Sequence, residues 1–232
     1  MKRRFVDPFF PNRPVDDPLR FAGRREQVEE VIDALFQILN SNPKHSIITG
    51  DRGIGKSSLL LQTKLLASGD NRLAERLKLD LGVESYKFAT VWHDCDKEQN
   101  VQGLINGLTK EFESKLHGFL GNFNFKLNVL KTLEVSNKDS SLECISEIVN
   151  AFVGDIKKAH DRLSEKGYNG IIFFIDELDR VDPSSGVASF FKLASERMAR
   201  ENYKNVAFIA AGISGAIQKL GVFGVCGYKC IA

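Results

Sequence analysis

Apolar residues follow two spacings along this chain, one typical of helices and the other of buried strands. Apolar side chains at every third or fourth position predict amphipathic helices over residues 24–39, 57–67, 72–77, 100–116, 142–163 and 184–200. Short β-branched or aromatic runs predict strands over residues 46–49, 88–92, 170–175 and 205–211. Strands that alternate with helices in this way predict a three-layer α/β/α sandwich with a mainly parallel sheet.

Three stretches fall outside this alternation and set the predicted boundaries. Residues 1–20 hold four of the six prolines, so we expect an extended N-terminal arm. In residues 117–140, phenylalanines alternate with glycine and asparagine, and either a β-hairpin or a flexible insertion fits this pattern. Glycines recur in residues 216–232, which predicts a glycine-rich tail after a core of residues 21–215.

Composition and charge narrow the class of protein. The chain has 232 residues, of which 43% are hydrophobic and 27% charged, as in ordinary globular proteins. A formal net charge of +2 does not by itself favour nucleic acid or a membrane as a partner. No apolar stretch is long enough to cross a membrane, and no apolar signal segment follows the basic N-terminus, so we expect a cytoplasmic location. The four cysteines are scattered, which favours reduced thiols over a disulfide framework.

A glycine-rich loop lies between the first predicted strand and the next helix. Residues 50–57 read Gly-Asp-Arg-Gly-Ile-Gly-Lys-Ser, the complete Walker A pattern. Its glycines permit backbone angles that aim N–H groups into one concavity, where the helix N-terminus also favours an anion. Lys56 is suited to reach the β- and γ-phosphates of a nucleotide, and the Ser57 hydroxyl to ligate Mg²⁺. The predicted nucleotide-binding residues of the loop are Gly50, Asp51, Arg52, Gly53, Ile54, Gly55, Lys56, Ser57 and Ser58.

An acidic pair follows the apolar run at 170–175. Asp176 and Glu177 complete the Walker B pattern, in which Asp176 would hold Mg²⁺ opposite Ser57. Glu177 would orient and deprotonate an attacking water, which makes it a predicted catalytic residue together with Lys56. An acidic strand end that merely caps the next loop is the alternative. No Asn-Lys-x-Asp guanine-reading motif occurs, so ATP is favoured over GTP.

These motifs, with Phe-Ala-Gly-Arg-Arg-Glu at residues 21–26, resemble the AAA+ and STAND ATPases. The resemblance spans about residues 18–215 and is strongest to the branch of origin-recognition and replication-initiator ATPases. It implies that Phe21 and Gly23, with Leu19, lie near the adenine base. It also implies a polar sensor residue after the last predicted strand, for which Ser214 is the candidate. Arg180, Arg197 or Arg200 could act on a neighbouring subunit's nucleotide, although ordinary surface ion pairs fit these arginines as well.

The sequence departs from this family at its C-terminal end. No helical lid follows the predicted core within these residues, so we expect the lid to be absent or truncated, either because the chain is a fragment or because a partner completes the site. A homo-oligomer or a partner protein is therefore expected. The basic and aromatic residues of 2–25 could contact nucleic acid, or could dock as an arm on a neighbouring subunit.

Two functions remain open on these grounds. The first is Mg²⁺-dependent ATP hydrolysis that drives a conformational switch or motor step in a larger assembly. The second is a scaffold that binds ATP without turnover. A small-molecule kinase is a weaker third option, disfavoured by Glu177.

Overall fold

The computed structural model describes residues 13–120, 127–129, 132, 142–219 and 229–231. Within these residues, five strands form one sheet. They are β1 (Ser46–Gly50), β2 (Phe88–Asp94), β3 (Gly170–Asp176), β4 (Val206–Ile213) and β5 (Lys229–Ile231). Their order in the sheet is β2-β3-β4-β1-β5, and every pair of neighbours is parallel. The predicted parallel sheet is confirmed.

Helices cover both faces of the sheet. They are α1 (Arg25–Leu39), α2 (Lys56–Ala67), α3 (Arg72–Leu77), α4 (Val101–Leu120), α5 (Leu142–Glu165), α6 (Val187–Arg200) and α7 (Ser214–Lys219). Apolar residues of α1, α2 and α3 pack in one buried cluster, and those of α4, α5 and α6 in the other. The helices therefore form the outer two layers of the predicted α/β/α sandwich.

Strand β3 lies between the two helical layers, and its burial on both faces explains why it is apolar from Ile171 to Ile175. Successive side chains of a strand point to opposite faces, so Phe173 enters one cluster and Phe174 the other. Phe173 packs against Phe112, Phe152 and Phe208 with ring centroids 5.3, 5.6 and 5.5 Å away. This packing fixes β3, and with it the residues that follow its carboxyl end.

Most element boundaries agree with the sequence to within a few residues, but three differ. The helix predicted from residue 100 continues to Leu120, so the first four residues of the predicted 117–140 segment are helical. The helix predicted over 184–200 is divided at Gly186, which has a φ of 89° and separates a 3-10 turn (Pro183–Ser185) from α6. Within the segment predicted as a glycine-rich tail, 216–232, residues 229–231 form β5 beside β1.

Much of the remaining irregular sequence lies outside the described residues, including residues 1–12 and most of 121–141. Among the residues that are described, no helix is both long and apolar enough to cross a membrane.

Candidate functional site

Three strands end at one edge of the sheet and bring the two sequence motifs together. Strand β4 lies between β1, which leads into the glycine-rich loop, and β3, which ends at Asp176. The carboxyl ends of parallel strands meet at the same edge, where α/β proteins place their ligands. A cavity of about 580 Å³ lies there, lined by Arg13, Pro14, Arg52, Gly53, Gly55, Lys56, Ser57, Ser58, Asp176, Glu177, Asp179, Arg180, Gly212 and Ile213.

The glycine-rich loop needs its glycines for backbone conformation. Gly53 and Gly55 have φ values of 81° and 92°. These values lie in the left-handed region, which is unfavourable for residues that have a Cβ atom. Gly55 directly precedes α2, so the loop leads straight into the helix. The first N–H groups of α2 have no intrahelical partners, as at any helix N-terminus. These N–H groups and the helix dipole make this end of the cavity electropositive.

Lys56 is held against its own loop. Its ammonium donates to the carbonyl oxygens of Gly50 at 3.0 Å and Asp51 at 2.8 Å. These bonds place a positive charge at the start of α2, on the side of the loop that lines the cavity.

Ser57 and Asp176, far apart in sequence, line the same cavity. The Glu177 N–H donates to Asp176 Oδ1 at 2.9 Å. Burial raises the pKa of Asp176, and the neighbouring Ser57 hydroxyl and the Glu177 N–H oppose that rise. A hydroxyl and a carboxylate are oxygen ligands of the kind that Mg²⁺ prefers. The pair therefore fits the predicted magnesium site in its chemistry.

Glu177 is paired with an arginine of its own chain. Its Oε2 lies 2.6 Å from Arg180 Nη1, and its Oε1 accepts from Arg180 Nη2 at 2.7 Å. Burial raises the pKa of Glu177, while the charge of Arg180 opposes the rise. Arg180 thus occupies both oxygens of the predicted catalytic carboxylate.

The segment of residues 21–26, which resembles the AAA+ and STAND ATPases, contacts the same loop from outside the cavity. Gly23 and Arg24 both have left-handed backbone angles, with φ values of 72° and 56°, and the Arg24 guanidinium donates to the Ile54 carbonyl. The Phe21 ring is only 4% exposed and packs in the cluster beside α1 and α2. Neither Phe21 nor Gly23 lines the cavity. Leu19 and Ile54, in contrast, are 58% and 53% exposed. Among the described residues, they are the large apolar side chains that remain exposed to solvent.

The other predicted residues lie in different settings. Ser214 begins α7, one residue beyond the cavity-lining Ile213. Arg197 donates to the Ser146 carbonyl and hydroxyl, both at 2.8 Å, and so joins α6 to α5. Arg200 is exposed at the end of α6 and lines a separate cavity. Of the three arginines considered for a trans-acting role, only Arg180 lies at the site.

Sequence reasoning missed some of the cavity lining. Asp179 accepts a hydrogen bond from the Ile213 N–H at 2.9 Å and thereby joins the end of β3 to the end of β4. The Asp-Glu-Leu-Asp run contains this residue, but its spacing does not reveal the main-chain partner. Arg13 and Pro14 of the arm were not expected at the cavity either.

A glycine-rich loop between β1 and α2, facing an acidic strand end across one intervening strand, defines a P-loop nucleotide-binding protein. The family model described as "AAA ATPase domain" matches residues 20–209. The chain therefore belongs to the AAA ATPase domain family, and the predicted family is confirmed.

The chain is similar to the crystal structure of Cdc6p from Pyrobaculum aerophilum, with 15% sequence identity and a TM-score of 0.49. The match covers 92% of this chain and 46% of that one, so this chain spans less than half of that protein's length. No curated protein matches the sequence.

Proposed function

We propose that this chain binds ATP and hydrolyses it in a Mg²⁺-dependent reaction. The shared cavity carries the proposal, because Ser57 of the phosphate loop and Asp176 of the acidic strand end line it together with Lys56. Membership of an ATPase family supports the same reaction.

Phosphate binding would use the loop and the start of α2. The N–H groups of residues 53–58 would surround the phosphates, and the Lys56 ammonium would exchange the carbonyls of Gly50 and Asp51 for phosphate oxygens. A lysine ammonium on a flexible stem can make this exchange with a small movement of its side chain.

Ser57 and Asp176 would hold Mg²⁺ between them, directly or through water. The bound ion would neutralise phosphate charge during transfer to water. The charge of the ion would favour the ionised form, so Asp176 would act as a carboxylate despite its raised pKa.

The adenine base would lie against the exposed apolar side chains of Leu19 and Ile54. The bond from Arg24 to the Ile54 carbonyl keeps the Gly23 turn next to Ile54. The proposed contact of Phe21 with the base region would use its main chain, since its ring is buried.

Glu177 would orient the attacking water and accept its proton. Arg180 occupies both carboxylate oxygens, so this step requires Arg180 to move away. Hydrolysis would then depend on a conformational step, as a switch within a larger assembly requires. A second subunit or a partner protein would favour that step.

Two substitutions separate binding from turnover. Lys56→Ala should abolish Mg²⁺-ATP binding measured by calorimetry, because the loop loses its mobile cation. Glu177→Gln should retain binding and lower phosphate release by at least about 100-fold, the usual order for loss of a general base. Lys110→Ala and Glu165→Gln change exposed residues of α4 and α5 and serve as matched controls. Unchanged turnover in Glu177→Gln would contradict the assigned base.

The pairing of Glu177 with Arg180 also favours a second function, a scaffold that is stabilised by ATP but does not hydrolyse it. Turnover at saturating ATP, measured over a range of protein concentrations, distinguishes the two. A specific rate that rises with concentration supports a site completed by another subunit. Tight binding with zero turnover at every concentration supports the scaffold.

A further inference from the structure

The N-terminal arm is fastened to the helix that follows the phosphate loop. The Val15 N–H donates to the Ser58 hydroxyl at 3.0 Å, and the Val15 carbonyl accepts from Gln62 Nε2 at 2.8 Å. Ser58 and Gln62 are four residues apart and so lie on one face of α2. Gln62 is 1% exposed, so its bond to the arm is shielded from water. Both main-chain polar groups of Val15 are therefore fixed to the first two turns of α2.

This attachment brings the preceding residues of the arm to the nucleotide cavity. Arg13 and Pro14 line the cavity together with Lys56, Ser57 and Ser58. Within the described part of the chain, the exposed Arg13 guanidinium has no hydrogen-bond or ion-pair partner, whereas Arg180 at the same cavity is paired with Glu177. Arg13 thus supplies a positive charge that no carboxylate among the described residues pairs with.

We propose that Arg13 is a nucleotide-contacting residue, held in place by the bonds of Ser58 and Gln62 to Val15. The inference rests on the proposed function, since it assigns a contact to the same nucleotide. The arm is fastened at Ser58, next to the loop N–H groups that surround the α- and β-phosphates in P-loop proteins. Arg13 therefore binds the part of the nucleotide that ATP and ADP share, and it contributes to affinity rather than to the hydrolytic step.

The first test compares ATP and ADP binding to the full chain by calorimetry in the presence of Mg²⁺. Arg13→Ala should weaken both nucleotides to the same extent, by roughly five- to tenfold, as for a charged hydrogen bond in a partly exposed site. Arg20→Ala is the matched control, because it removes the same charge from the arm at a residue that pairs with Asp17, 3.5 Å away. Arg20→Ala should bind both nucleotides like the wild type.

The second test addresses the attachment. Gln62→Ala removes the donor to the Val15 carbonyl and should weaken both nucleotides by part of the Arg13→Ala effect. Because Gln62 acts through Arg13, the double variant should bind no more weakly than Arg13→Ala alone. A thermal unfolding curve for each variant shows whether it remains folded, and Arg13→Ala, at an exposed position, should unfold like the wild type.

The outcomes separate this inference from the proposed function. A wild-type chain that binds neither nucleotide would overturn the proposed function itself. A wild type that binds, with Arg13→Ala binding equally well, would overturn only the inference. Additive losses from Arg13→Ala and Gln62→Ala would overturn the role of the attachment, because they would show that Gln62 acts independently of Arg13.

Discussion

Replacing Arg180 with alanine should increase ATP turnover, because it frees the carboxylate of Glu177. Arg180 forms two bonds to Glu177, at 2.6 and 2.7 Å. The two side chains are 43% and 42% exposed, so water competes for the pair. Such exposed ion pairs contribute about 0.2–1 kcal/mol. If that energy must be spent to release Glu177 before hydrolysis, its removal raises the rate by roughly 1.4- to fivefold.

The assay is steady-state phosphate release at saturating Mg²⁺-ATP. Arg180→Ala is compared with the wild type and with Arg162→Ala. The Arg162–Glu165 pair is a close match, since it also joins residues three apart, at 3.2 Å, and is exposed. Arg162 lies on α5, away from the cavity, so its removal should leave the rate unchanged.

Two results would refute this reasoning. A fall of tenfold or more in Arg180→Ala would show that the guanidinium stabilises the reacting nucleotide, in its own subunit or in a neighbour. An unchanged rate would show that the ion pair does not restrain Glu177 during turnover.

Two further predictions concern stability. Gly170→Ala should destabilise the fold by about 2–4 kcal/mol in denaturant unfolding, because a Cβ there would lie 2.0 Å from the Asn205 carbonyl oxygen; Gly118→Ala in α4, where a Cβ would meet nothing within 4 Å, should not destabilise it. Burial lowers the pKa of His45 to about 4, from 6.5, so the folded protein binds fewer protons than the unfolded chain between these values. Stability should therefore fall on acidification from about pH 6.5 towards 4, by up to about 3 kcal/mol, and His45→Asn should flatten this dependence in unfolding curves measured across the range.

The core strands and the two halves of the site could be predicted because each depends on residues that lie close together in the sequence. Strand β3 is buried on both faces, so its apolar run is visible in the sequence and ends at Asp176. The phosphate loop depends on glycines, a lysine and a serine at fixed spacing, which a short stretch of sequence contains completely. In the structure, residues of both motifs line the same cavity at the ends of the strands.

The features that sequence reasoning missed depend on contacts between distant main-chain atoms or on very short elements. Val15 is fixed through its N–H and carbonyl, which every residue except proline has, so nothing in the side-chain pattern marks it. Strand β5 has only three residues, too few to establish a period of two. The Glu177–Arg180 pair is local, at a spacing of three, but its geometry depends on the left-handed backbone of Glu177, with a φ of 54°.

The position of β4 affects how the site forms during synthesis. Ser46 of β1 pairs with Ile209 of β4, and Ile171 of β3 pairs with Val206, so the two motif-bearing strands are joined only through a strand made much later. During synthesis, Lys56 and Asp176 are made before β4. They cannot reach their final separation until β4 inserts between their strands. Pairing between strands so distant in sequence is slow to form. Nucleotide binding would therefore become possible only once the sheet is complete, so ATP present during translation would bind only chains in which β4 has already been inserted.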